Sequence, residues 1–241
     1  MTVTQQLAAD LPSFHQGGAT RWSALPGILA TLEQSVGPDV RSIETGCGAS
    51  TVVFAAGGGR HTVISPDPRE HDLVRAYCEE QGIDCSNVTF VADSSDRVLP
   101  ELAVPGSLDV AFIDGAHSFP YAIVDWHYLS LALEVGGRML VDDVAIPAIT
   151  PLFHFMKSDA AWRYEELPDN RAALFVKLAE PAAVEDYTRQ PYNRHSDFSF
   201  APPLTRARLV GGSIATRSRR SVGRRFPALR TVYRRLHERA S

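Results

Sequence analysis

From Asp39 onward, short apolar runs alternate with longer stretches of helical periodicity. The runs VRSIET (40–45), HTVIS (61–65), NVTFVA (87–92), LDVAFID (108–114) and GRMLVDD (137–143) are short and apolar at their centres. Gly, Pro, Asn or Asp bounds each of them, which is the pattern of strands. Between them, a helix starts near Ser50 or Thr51, a second runs over Arg69–Gln81 and closes on Gly82, and a third covers Tyr121–Leu133 before Gly136-Gly137. AAWRYEEL and RAALFVKL flank Pro168-Asp169-Asn170 and read as a hairpin. Strands alternating with helices predict an α/β, doubly wound, mostly parallel sheet built from right-handed crossovers. Five such strands and a C-terminal antiparallel hairpin make seven.

Around this core, residues 1–38 hold one expected helix (Leu25–Ser35) among prolines and glycines, an N-terminal helical or lid segment. Residues 39–180 form the α/β domain. Residues 181–241 are an irregular linker and an Arg-rich tail.

In open α/β sheets, ligands bind beyond the carboxyl ends of the strands. Each parallel strand here ends at or near an acid: Glu44, Asp67, Asp93, Asp114 and the pair Asp142-Asp143. One such acid is ordinary turn chemistry; a full series points to a site. The first loop, ETGCGAS (44–50), has glycines at 46 and 48 for a tight turn and close backbone approach. Thr51 stands where a dinucleotide fingerprint has its third glycine. An acid at the loop's start suits a ligand with a positive end better than a pyrophosphate.

On ETGCGAS, on Asp67 after the second strand, on VAD (91–93) and on the closing hairpin, residues 40–178 resemble the class I S-adenosylmethionine (SAM)-dependent methyltransferases. The resemblance implies a Rossmann-like seven-stranded sheet with its last strand antiparallel. It implies that the backbone at Gly46, Gly48 and Ser50 holds the methionine part of SAM, with Glu44 on its ammonium directly or through water. Asp67 takes the ribose hydroxyls, with Ser65 as the alternative, and Asp93 the adenine amino group.

Asp114, Asp142 and Asp143 end neighbouring strands, which lie about 4.8 Å apart, so their carboxylates can converge on a cation. Oxygen donors of this kind suit Mg²⁺. His117 follows Asp114 by three positions. D114-G-A-H117 resembles the metal-dependent O-methyltransferases of sugars and macrolide sugars, and, with lysine in place of the histidine, those of catechols. That resemblance implies Mg²⁺ on the three acids, His117 as the base, and a small hydroxylated acceptor, a sugar or sugar-bearing natural product before a phenol. A structural histidine is the competing reading of His117. Trp126 and Phe119 are candidates for an acceptor pocket, with core packing as their alternative.

Composition narrows the class and leaves the chemistry open. With 44% hydrophobic and 22% charged residues, the chain has the makeup of a globular protein. No run approaches the ~18 apolar residues of a membrane span, and the N-terminus lacks a secretory pattern. Three cysteines form neither a disulfide framework nor a CxxC site. A cytoplasmic setting is expected.

The net charge of −4 conceals an asymmetry: residues 206–241 contain eleven Arg and one Glu, and the rest of the chain is strongly acidic. RRFPALRTVYRRLHERAS (224–241) has the pattern of a basic amphipathic helix. Docking on the acidic domain or a homo-oligomer contact is the simplest use; a membrane surface comes next, and nucleic acid or plain disorder last. The alternatives to a small-molecule enzyme are an RNA methyltransferase using this tail and a nucleotide-binding oxidoreductase or non-catalytic binder.

Overall fold

A computed structural model describes residues 2–9, 12–14, 24–169, 171–180, 190–194 and 196–213. The chain divides into two compact units, Met1–Glu185 and Asp186–Ser241. In the first, the order is α1 (Val3–Ala9), α2 (Pro26–Glu33), β1 (Arg41–Thr45), α3 (Ala49–Gly57), β2 (Arg60–Ile64), α4 (Pro68–Gln81) and β3 (Val88–Val91). There follow α5 (Ser95–Leu102), β4 (Leu108–Ile113), α6 (Tyr121–Ala132), β5 (Leu133–Val141), α7 (Thr150–Ser158), β6 (Trp162–Glu166) and β7 (Ala173–Lys177).

The seven strands form one sheet in the order β3-β2-β1-β4-β5-β7-β6. β1 to β5 are parallel, while β7 inserts antiparallel between β5 and β6. The order reverses between β1 and β4, the topological switch point at which ligands bind in such sheets.

Alternation along the strands sorts side chains to two faces. Val110 and Phe112 of β4 join Val63 and Leu140 in a core under α2, α3 and α4. Ala111 and Ile113 join Ile43, Met139 and Val141 in a second core against α6 and α7. Helices cover both sides of the sheet, so its strands are apolar on both faces.

Two local departures from the sequence pattern have physical causes. β5 begins at Leu133, directly after α6, and takes in the glycines expected to precede it. Gly136 has φ 93° there, and the β4–β5 register shifts between Leu108 and Val110, so the glycines sit in an irregular stretch of strand. α5 and α7 occupy stretches where the pattern marks no element; α5 is eight residues long with Pro100 inside it, too short and interrupted to show a clear period. In the N-terminal segment, α2 buries Ile28, Leu29 and Leu32, and its Gly27 N–H donates to Asp169 Oδ2 in the β6–β7 turn at 2.9 Å.

Lys177, on β7, is fully buried, and its Nζ donates to the carbonyls of Ser130 (2.9 Å) and Leu133 (2.7 Å) and to Glu180. It satisfies the acceptors left over at the end of α6, where no intrahelical partner exists.

The second unit shows a 3-10 turn at Pro191–Arg194, within the expected irregular linker, and a helix over 203–213 where that linker meets the Arg-rich tail. The amphipathic pattern of 224–241 lies outside the described residues.

Candidate functional site

The loop after β1 is shaped by a conformation only glycine takes easily. Gly46 has φ 97°, and a Cβ there would collide with the carbonyl oxygen of Asp114. The loops leaving β1 and β4 therefore touch. Two backbone bonds fix them: Gly46 N–H donates to Ile64 O at 2.9 Å, and Asp114 N–H to Thr45 O at 3.0 Å.

Beneath the loop runs a buried polar chain. Thr51 Oγ1 accepts from the Gly48 N–H at 3.1 Å and donates to Glu44 Oε1 at 2.5 Å. His61 Nε2 meets the same Glu44 oxygen at 3.1 Å, and its Nδ1 meets Ser42 Oγ at 2.8 Å. The His61 ring stacks on Phe54 with centroids 4.1 Å apart. Glu44 is thus 0% exposed and ties the start of α3 to β1 and β2. It does not line the cleft above it. Its Oε2 is buried without a hydrogen-bond partner in the structure, an acceptor left over directly under the glycine loop.

The cleft at the switch point has a volume of about 770 Å³, within the ~300–1,000 Å³ usual for small-molecule sites. Of the sequence-derived candidates, Gly46, Gly48, Ser50, Asp67, Asp114, His117 and Asp143 line it. Asp67 caps α4, accepting from Arg69 N–H at 3.1 Å and pairing with the Arg69 guanidinium at 2.9 Å. Beside it, Ser65 Oγ donates to Glu70 Oε2 at 2.6 Å, and both also line the cleft. Glu70 is a second acid there that the strand-end rule misses, because it stands in the first turn of α4.

Asp93 lies outside the lining: it accepts from Ser94 N–H at 2.7 Å and stands 3.6 Å from Arg97, leaving Ser94 and Ser95 on the cleft wall. Trp126 and Phe119 do not line it either. Trp126 packs edge-on against Phe155 with centroids 5.0 Å apart, and Phe119 is exposed.

At the cleft's other end the acids converge with an imidazole and a guanidinium. His117 Nε2 lies 3.6 Å from Asp114 Oδ1 and 3.4 Å from Asp143 Oδ2. Arg171 reaches in from the start of β7: its Nη2 is 2.8 Å from Asp142 Oδ2 and its Nε 2.9 Å from Asp143 Oδ1. Asp142 is fully buried below the surface, its Oδ1 accepting from Asp143 N–H at 2.7 Å. Asp143 has φ 51°, so the strand has ended and the two adjacent acids turn to the same guanidinium.

Burial pushes the Asp114 carboxyl up to about 7, against the pull of His117 and with Asp142 adding to the rise. Burial also raises Asp142, with Arg171 opposing. Asp114, foremost, holds the His117 imidazole above its ordinary value, despite its desolvation. These are the directions expected of a clustered acid–base group at low dielectric.

The chemistry of the donor set decides how two implied groups fit. For SAM the residues fit: Gly46 makes a cradle that a Cβ would fill, a buried acceptor is left over at Glu44, and Asp67 and Glu70 stand at the β2 end for hydroxyls. For Mg²⁺ on Asp114, Asp142 and Asp143 they do not. The guanidinium of Arg171 occupies the carboxylates of the pair, and among the described residues no three His, Cys, Asp or Glu side chains are grouped to hold a metal ion. Two members of the expected triad, Asp142 and Asp143, are instead joined to Arg171 by a salt bridge. Arg171 lies 28 residues beyond Asp143, and no motif ties the two.

Comparison with known proteins agrees with this geometry. Residues 43–144 match the methyltransferase domain family. The cofactor-bound Rv0187 from MTB superposes with a TM-score of 0.53 at 20% identity, over 73% of this chain and 86% of that one. An SAH-bound methyltransferase from Podospora anserina gives 0.54 at 14% identity, over 73% and 86%. A protein of Rattus norvegicus named "Transmembrane O-methyltransferase homolog" is 26% identical over 152 residues, and a Mus musculus protein of the same name matches equally. The match spans 59% of the length of those relatives. No helix among the described residues is long and apolar enough to cross a membrane. Over residues 43–144 the chain is thus similar to the methyltransferase domain family, and it has the Rossmann-like fold of those solved methyltransferase structures.

Proposed function

We propose that this methyltransferase-domain protein is an O-methyltransferase that methylates a hydroxyl of a small acceptor, with His117 as the general base. The observation that carries the reading is the place of His117: 35% exposed on the cleft wall, with Nε2 directed at two carboxylates in the same cleft as the glycine loop. The relatives named O-methyltransferase support the reaction class.

Gly46–Ser50 would hold SAM, with Glu44 for its ammonium through water and Asp67 and Glu70 for its ribose hydroxyls, and SAM would supply an electrophilic methyl group. The chain's own work is on the acceptor. A proton on Nε2 facing Asp114 and Asp143 leaves Nδ1 as the basic nitrogen. Nδ1 takes the hydroxyl proton, and the carboxylates stabilise the imidazolium that results. General-base help of this kind contributes about 10²–10⁴-fold. Ser94, whose N–H donates to Asp93, and Ser95 stand on the cleft wall for the adenine end.

The D114-G-A-H117 stretch favours a sugar or sugar-bearing natural product as acceptor over a phenol. Mg²⁺ is left out of the reading because Arg171 occupies the acid pair. Transfer of labelled methyl from SAM to a panel of sugars, phenols and RNA tests it. Label in a hydroxyl-bearing small molecule, lost in His117→Ala, is expected; label only in RNA, or tight NAD binding without SAM binding, overturns the reading.

A further inference from the structure

Four carboxylate oxygens are present at Asp142 and Asp143, and each already has a neighbour. Arg171 Nη2 holds Asp142 Oδ2, Arg171 Nε holds Asp143 Oδ1, and the Asp143 amide holds Asp142 Oδ1. Asp143 Oδ2 faces His117 Nε2 at 3.4 Å, with Arg171 Nη2 at 3.5 Å. A Mg²⁺ ion asks for about six oxygens near ~2.1 Å in octahedral order, and the guanidinium stands where these two carboxylates could be shared.

The arginine is also fixed from behind. Its carbonyl accepts from Val144 N–H at 3.0 Å, continuing the antiparallel register that pairs Val141 with Ala173. Its side chain is 21% exposed. A planar fork meeting two carboxylates is the geometry in which arginine outperforms a point charge.

We propose that Arg171 is the resident cation of this site: it neutralises Asp142 and Asp143 in place of a divalent metal, orients Asp143 towards His117, and makes methyl transfer independent of metal. Arg171 is on this view a positioning residue, acting on the acceptor through Asp143 and His117. The inference rests on the O-methyltransferase reading for its activity arm alone.

The test uses the full chain and Mn²⁺ as probe. Titration followed by electron paramagnetic resonance is expected to show no Mn²⁺ bound by the wild-type protein below millimolar concentration, and methyl transfer is expected to be unchanged in EDTA. Arg171→Met, which keeps length and removes charge, should acquire a bound Mn²⁺ signal that a further Asp142→Asn removes. The same variant should lose at least tenfold in kcat with the KM for SAM within twofold, and Arg171→Lys should recover part of that loss.

Stoichiometric Mn²⁺ binding by the wild-type protein that Asp142→Asn abolishes overturns the proposal, as does activity lost in EDTA and restored by Mg²⁺. Wild-type turnover in Arg171→Met overturns it too. If that variant does not fold, the wild-type titration still decides. If no hydroxyl acceptor is methylated, the functional reading fails while the Mn²⁺ titration keeps its meaning.

Discussion

Gly46 and Asp114 are in van der Waals contact across the switch point, so that the loop proposed to hold the cofactor and the loop bearing the proposed base are one packed unit. Any side chain on Gly46 must displace the Asp114 carbonyl and adopt φ near 97° besides. For a residue with a Cβ, such backbone strain alone costs about 1–3 kcal/mol. Gly46→Ala is expected to lower stability by at least that amount and to weaken SAM binding more than tenfold. Calorimetry with SAM, alongside thermal melts, checks both; wild-type SAM affinity in this variant would show that the loop does not carry the cofactor.

The His117–Asp114 pair predicts the acid side of the pH profile. Asp114 raises the imidazole above its ordinary 6.5, and only the neutral ring accepts a proton. Turnover should therefore fall as pH drops through a value above 6.5. Asp114→Asn removes the main cause of the rise, so the acid limb should move to lower pH. A pH series of kcat for the wild-type protein and this variant reads the effect directly, and an unmoved limb would count against Asp114 as the tuning group.

A second buried acid makes a prediction about stability. Asp125 on α6 is 1% exposed, and burial pushes it up to about 6, with Ser95 and Thr45 opposing. A folded-state value raised above the ordinary 3.8 stabilises the fold fully below that pH, and the contribution is lost as pH rises through about 6. The difference corresponds to about 3 kcal/mol. Asp125→Asn carries no charge to bury, so its melting temperature should gain on the wild type as pH rises from about 4 to 7. A gap between the two that stays constant over that range would refute the assignment.

Lys177 is expected to be costly to replace. Its ammonium satisfies two buried carbonyls at the α6–β5 junction, and leaving a buried acceptor unpaired costs about 1–3 kcal/mol each. Lys177→Met, similar in length, should destabilise by about 2–5 kcal/mol in denaturant titration. The effect should fall on stability with little change in SAM affinity, since Lys177 lies outside the cleft lining.

The sequence alone determined the layers and the address of the site. Apolar alternation in 108–113 reports a strand covered on both faces, because a parallel sheet must bury both, and acids after successive strands fall together because parallel strands share a carboxyl edge. The tight turn at Gly46 was legible from its residue type. Tertiary structure decided what each acid does.

Glu44 and Asp114 both sit at strand ends, yet one lies buried under Thr51 and His61 while the other opens onto the cleft. Local sequence carries no signal for that choice, since it depends on how far each loop travels before turning. Arg171 was equally silent. Antiparallel insertion of β7 beside β5, with Val141 opposite Ala173, brings a residue from the far end of the domain level with Asp143. A register between strands some thirty residues apart is set by the packing of both faces at once. In this site, that register is what sets the Arg171 guanidinium against Asp142 and Asp143.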